Sequence, residues 1–184
     1  MVSMYRARLD EVKREWQDEK LRDAARTGNL EVIRSWPNDG AINATGQGGW
    51  TALHFAAREG RSDVVAALLA HKGDPSIRTS KGEQPLHCAA EKGHVAVVAL
   101  LCTTPGVDVN APGPYKASPL HVASSGAVAE VLLEHGADKK FMYRGRNPET
   151  HHTEKGNTAI ARAISKWKLQ AKIVRTPMRC ETGW

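Results

Sequence analysis

Apolar residues recur along the middle of the chain in short paired packets rather than in one long run. Leu53, Ala56 and Ala57 stand at i, i+3 and i+4, the spacing that places side chains on one helix face. A second packet, Val64-Val-Ala-Ala-Leu-Leu, follows after Gly60. The pair then returns twice, as Leu86 to Ala90 with Val97-Val-Ala-Leu-Leu, and as Leu120 to Ala123 with Val128-Ala-Glu-Val-Leu-Leu. Each pair predicts two antiparallel helices, the second over 62–70 and 95–102 in the first two copies.

The copies start alike. Thr51-Ala-Leu-His-Phe-Ala-Ala, Gln84-Pro-Leu-His-Cys-Ala-Ala and Ser118-Pro-Leu-His-Val-Ala-Ser begin 33 and 34 residues apart. A period near 33 marks a stacked solenoid, because one helix pair cannot bury its own apolar face. Thr51 and Ser118 offer side-chain oxygens to the free N–H groups of the first turn. Pro85 and Pro119 sit at the first helical position, where a missing N–H costs nothing.

These residues resemble the ankyrin repeat family. Its pattern is a Thr-Pro-Leu-His-x-Ala-Ala helix start, a Gly turn and a second helix ending in Leu-Leu before Gly-Ala-Asp. Leu132-Leu-Glu-His-Gly-Ala-Asp138 reproduces the last part residue for residue, and the likeness extends over roughly 20–174. The resemblance implies an all-α ankyrin-repeat solenoid of helix–turn–helix units with protruding hairpin loops. It also implies a structural role for His54, His87 and His121, bonding within their own turn and to the next repeat. Successive repeats sit about 10 Å apart, too far for these rings to share a zinc ion with bonds of about 2 Å.

The ends are degenerate. Tyr5, Leu9, Val12 and Trp16 form one stripe on an amphipathic helix over 1–19, read as a lid on the first repeat or as a partner-binding helix. Leu21, Ala24, Ala25 and Gly28 align with Leu53 to Gly60 and open a first repeat over 20–49. Repeats over 50–82, 83–116 and 117–138 follow, the last shortened around Ser124-Ser-Gly126. Residues 139–156 read as an inserted, extended hairpin loop, with His151-His152 a solvated pair. A fifth unit over 157–174 takes Thr158-Ala-Ile-Ala161 as its helix start and Leu169 to Val174 as a final helix, leaving 175–184 as a tail.

Composition then narrows the function. Hydrophobic residues make up 41% and charged residues 25%, ordinary for a folded domain and unlike a disordered chain. No apolar run approaches the roughly 18 residues of a membrane helix, and Met1 to Lys20 alternates charges unlike a secretory signal. Three cysteines without a CxxC pair argue against a disulfide framework or zinc site. They point to a reducing compartment, the cytoplasm first and the nucleus second. The net charge of +6 is uneven: residues 1–138 hold 15 Lys/Arg against 17 Asp/Glu, and residues 139–184 hold 11 against 3.

No Walker loop, HExxH, GxSxG or dinucleotide-binding GxGxxG occurs, so an enzyme, a cofactor, a metal and a small-molecule substrate are not expected. The resemblance implies partner docking on a concave face of hairpin tips and inner helices. The candidate contacts are Gln47, Trp50, Lys81, Glu83, Tyr115, Arg144 and Arg146 at the tips, with Phe55 and Arg58 on an inner helix. Trp50 is the leading anchor, since exposed Trp, Tyr and Arg dominate interface energies. The expected function is a non-catalytic protein–protein interaction module, monomeric alone. An ankyrin-type assembly chaperone or regulatory subunit is one alternative. A basic C-terminal region over Lys139 to Arg179 that binds nucleic acid or another anionic surface is a second, less favoured one.

Overall fold

A computed structural model describes residues 2–37 and 41–173. The helices alternate between two layers. The inner layer holds α1 (Val2–Thr27), α3 (Ala52–Arg58), α5 (Pro85–Lys92), α7 (Pro119–Val122) and α9 (Pro148–Glu154). The outer layer holds α2 (Leu30–Arg34), α4 (Ser62–Ala70), α6 (Val95–Thr103), α8 (Gly126–Glu134) and α10 (Thr158–Ile173). Each inner helix packs on the next inner helix, and each outer helix on the next outer one. The result is an all-α solenoid whose hairpin tips project beside the inner layer.

The core runs continuously between the layers. Small residues, Ala56, Ala57, Ala89 and Ala90, are fully buried on the inner helices and let them approach closely. Larger side chains, Leu53, Leu68, Leu86, Leu101, Leu120, Leu132 and Ile164, fill the space toward the outer layer. Gly60 shows why the inner-to-outer turn needs glycine. Its φ is +71°, and a Cβ there would lie 2.5 Å from the His94 ring. That ring donates its Nε2–H to the carbonyl of Arg58 across 2.8 Å, closing the end of α3 from the next repeat.

Both ends differ from the sequence reading. The helix over 1–19 is not separate, because α1 continues unbroken to Thr27 and its C-terminal part is the inner helix of the first repeat. Leu21, Ala24 and Ala25 are buried there, while Val12 and Trp16 are 48% and 63% exposed. The stripe is therefore no lid at those two positions, where both side chains face solvent. The side chains of Tyr5 and Leu9 lie outside the described residues.

The inserted loop over 139–156 is also corrected. Tyr143 and Arg146 exchange a pair of backbone hydrogen bonds at 2.8 and 2.9 Å, and α9 follows at once. Asn147 caps α9 by accepting from the Thr150 N–H at 2.9 Å, and Pro148 takes the first helical position. Thus α9 is the inner helix of the fifth repeat, and Thr158-Ala-Ile-Ala161 begins its outer helix instead. His151 and His152 are buried in it rather than solvated, and His152 Nε2 meets the Leu120 carbonyl at 2.9 Å. The separate final helix over Leu169 to Val174 is the end of α10 as far as Ile173; Val174 and the tail over 175–184 lie outside the described residues.

Repeat four is tight, as its shortened sequence predicts. The inner helix α7 stops at Val122, and Ser124 then donates both its N–H and its hydroxyl to the Ala90 carbonyl, at 3.1 and 3.3 Å. Those bonds replace the missing helical turn and tie repeat four to repeat three.

The outer helices α4 and α8 are each followed by a left-handed residue. Gly136 takes that role after α8, with φ +89° and open space around it. Lys72 takes it after α4, with φ +63°. A side chain in this conformation costs on the order of 1 kcal/mol. Lys72→Gly is therefore expected to raise the thermal midpoint by a few degrees, and Gly136→Ala to lower it by a similar amount. A calorimetric melt in which Lys72→Gly is destabilising would contradict this backbone account.

Candidate partner-binding face

The tips are held as a bonded series. The first turns at Gln47–Gly49, where the Gly46 N–H donates to the Trp50 carbonyl at 2.8 Å. The Ser80 N–H reaches the Gly48 carbonyl at 2.8 Å and joins tip one to tip two. Arg78 donates to the carbonyls of Gly82 and Pro112, joining tip two to tip three. Asn43 and Asn110 bridge at the base of the hairpins: each amide accepts from the N–H of Asp74 or Asp138 and donates to the carbonyl of Lys72 or Gly136.

Beneath the tips lie three buried histidines. The Thr51 N–H donates to His54 Nδ1 at 3.3 Å, and the same nitrogen sits 2.8 Å from the Thr51 hydroxyl. An Nδ1 that accepts a backbone N–H is unprotonated, so Nε2 carries the hydrogen. His54 Nε2 then donates to the Glu83 carbonyl of the next tip at 3.1 Å. His87 repeats this between Gln84 and the Ala117 carbonyl, and His121 between Ser118 and the Arg146 carbonyl. Burial pushes all three rings down from 6.5 to about 4, despite the carbonyls that favour a charged ring.

Two surface clusters rise above this frame. At the N-terminal end, Trp50 packs on Phe55 with ring centroids 5.1 Å apart, and Arg58 lies over the Trp50 ring at 5.4 Å. Beside them a groove of about 800 Å³ is lined by Trp16, Lys20, Arg22, Asp23 and Arg26 from α1, by Gly46 and Gln47 at the tip, and by Phe55. At the C-terminal end, Arg144 lies over both Tyr115 and Tyr143, at 5.3 and 5.4 Å. Among the described residues, no three His, Cys, Asp or Glu side chains converge as metal ligands. None of the described helices is long and apolar enough to cross a membrane.

The family model described as ankyrin repeats in three copies matches residues 21–113 and 72–142. The chain belongs to the ankyrin repeat family. Human ankyrin repeat domain-containing protein 40 is 33% identical over 78 residues, 41% of this chain and 21% of the relative. Human NF-kappa-B inhibitor alpha is 35% identical over 118 residues, 59% and 37% respectively. The target of rapamycin complex 2 subunit AVO2 of Saccharomyces cerevisiae is 31% identical over 109 residues, 56% and 26%. The matched part of the ankyrin chain thus spans between about a fifth and about two fifths of these relatives.

Within the ankyrin frame the proposed contacts separate into groups. Trp50, Phe55, Arg58 and Gln47 come together around the groove; Gln47 and Arg58 are exposed, and the two aromatic rings are half-buried. Tyr115 and Arg144 meet at the other end, where Tyr115 is 79% exposed. Lys81 is exposed at tip two, apart from either cluster in its contacts. Glu83 and Arg146 have structural duties: their carbonyls receive His54 and His121, Glu83 takes the Thr79 hydroxyl, and Arg146 is ion-paired with Glu154. Trp16 and Tyr143 were not among the candidate contacts. The stripe on α1 signalled Trp16, but Tyr143 sat in a segment with no repeat motif.

The histidine frame makes stability depend on pH with a definite sign. The rings are neutral in the folded ankyrin chain and take up protons below about 6.5 when unfolded. Their contribution is therefore complete above about pH 6.5 and falls as the pH drops toward about 4. Urea unfolding is expected to show a lower midpoint at about pH 5 than at about pH 7.5, above the main carboxylate range. Equal midpoints would contradict the neutral, buried state of these rings.

Proposed function

We propose that this chain is a non-catalytic protein-binding module, and that the groove between α1, the first hairpin tip and α3 is its main docking surface. The observation that carries this reading is the cluster of Trp50, Phe55 and Arg58, in which Phe55 lines the groove together with Gln47 and Trp16. Aromatic and Arg side chains at one concave place supply the large, stiff contact area on which interfaces concentrate their energy. Ankyrin repeats generally mediate protein–protein interaction, which supports the same reading. The chain is monomeric alone and acts in the cytoplasm or nucleus in this proposal.

The second reading is a regulatory subunit of a larger complex. The names of two relatives favour it, since one is an inhibitor of NF-kappa-B and the other a subunit of target of rapamycin complex 2. Both readings use the same face.

Affinity capture from native lysate, quantified by mass spectrometry, separates this face from the rest. Trp50→Ala and Trp16→Ala are each expected to lower recovery of the captured proteins about tenfold or more, with the thermal midpoint unchanged for the exposed Trp16 and lowered for Trp50, which packs on His54 and Phe55. Undiminished recovery with both variants would overturn the groove as the docking surface.

A further inference from the structure

Among the described residues, three of the four non-glycine positions with left-handed backbone lie at the C-terminal tips. Tyr115, Lys116 and Arg144 have φ of 54°, 68° and 51°. Side chains adopt this region rarely, and strain of this kind gathers where a surface is put to use. Here the strained turns place the Arg144 guanidinium between two rings, 5.3 Å from Tyr115 and 5.4 Å from Tyr143. Tyr115 is 79% exposed, and Met142 on the neighbouring turn is 59% exposed.

The charge at this place is mainly positive. Residues 109–129 and 139–148 contain no Asp or Glu, yet they carry Lys116, Lys139, Lys140, Arg144 and Arg146. Glu154 neutralises Arg146. Arg144 forms no ion pair with any carboxylate among the described residues. Its planar fork of N–H donors is thus fixed in place by two rings and open to an incoming carboxylate. The N-terminal groove differs, because the carboxylates of Glu19 and Asp23 line it beside the basic residues.

We propose that Tyr115 and Arg144 form a second docking site, which takes an acidic segment of a partner protein. A Glu or Asp side chain pairs with Arg144 through two parallel hydrogen bonds, and an adjacent apolar side chain lies on the exposed Tyr115 ring. Nucleic acid fits less well. Successive bases need successive free ring faces, and only Tyr115 offers one, because Tyr143 is already packed among His121, His151 and Arg144. The proposal rests on the reading of the hairpin tips as a contact surface, but uses none of the groove residues.

The test is fluorescence anisotropy on the full chain with three labelled probes. These are a synthetic peptide alternating Glu with Tyr, an equally long peptide alternating Lys with Tyr, and single-stranded DNA of the same net charge as the first. The acidic peptide is expected to bind and the other two to bind at least tenfold more weakly. Arg144→Ala lowers acidic-peptide affinity about tenfold or more. Tyr115→Gly lowers it as well while raising the thermal midpoint, because glycine accepts the left-handed turn; a purely structural role for the ring would not separate the two readouts. Unchanged binding by Arg144→Ala, tighter binding of the DNA, or no binding of the acidic peptide would each overturn the proposal. If the peptide fails while Trp50→Ala still loses captured proteins, this inference falls and the docking groove stands.

Discussion

His54, His87 and His121 are each bonded on both sides of the ring, and the arrangement of the tips follows from that. Nδ1 closes the first turn of its own inner helix, and Nε2–H holds a carbonyl of the next hairpin. A protruding hairpin has few apolar contacts of its own, so its backbone must find partners elsewhere. The ring supplies one from beneath, in a site dry enough to make the bond count and to disfavour the charged ring. One residue type thus joins local helix capping to long-range stacking, and fixes the height at which each tip meets solvent.

The surface is built on that spacing. Trp50 stands directly before the cap of α3 and packs on His54 itself as well as on Phe55. Tyr143 and His151 pack edge-on against His121. The candidate contacts at both ends therefore lean on the rings that hold the stack, which stiffens them before any partner arrives. Rigid aromatic and Arg groups lose little freedom on binding. The two ends nonetheless differ in chemistry: mixed charges line the N-terminal groove, and only basic residues decorate the last two tips.

Much of this was legible in the chain. Three Leu-His motifs at a near-constant period set the three central repeats, and Trp50, Phe55 and Arg58 stood out as candidate contacts around the first of those motifs. The fifth repeat was hidden for a physical reason. Glu149 and Thr150 stand where earlier copies have Leu and His, so apolar periodicity gives no signal. The surviving cue was Asn147-Pro148, a cap residue followed by a proline, 29 residues after Ser118 rather than 33. Likewise the boundary near residue 19 had no basis in the backbone: no Gly or Pro interrupts Val2 to Thr27, and the change from exposed to buried side chains occurs within one helix. The tip-to-tip bonds of Arg78, Asn43 and Asn110 depend on repeats being adjacent in space, which no local pattern reports.

The most direct measurement of the central claim is the protonation state of the three rings themselves. Nitrogen-15 NMR of the imidazoles distinguishes the two neutral tautomers and follows each ring through its titration. The account predicts that His54, His87 and His121 carry their hydrogen on Nε2 at neutral pH and stay neutral until the pH nears 4. Rings that titrate near 6.5, or that carry the hydrogen on Nδ1, would contradict it.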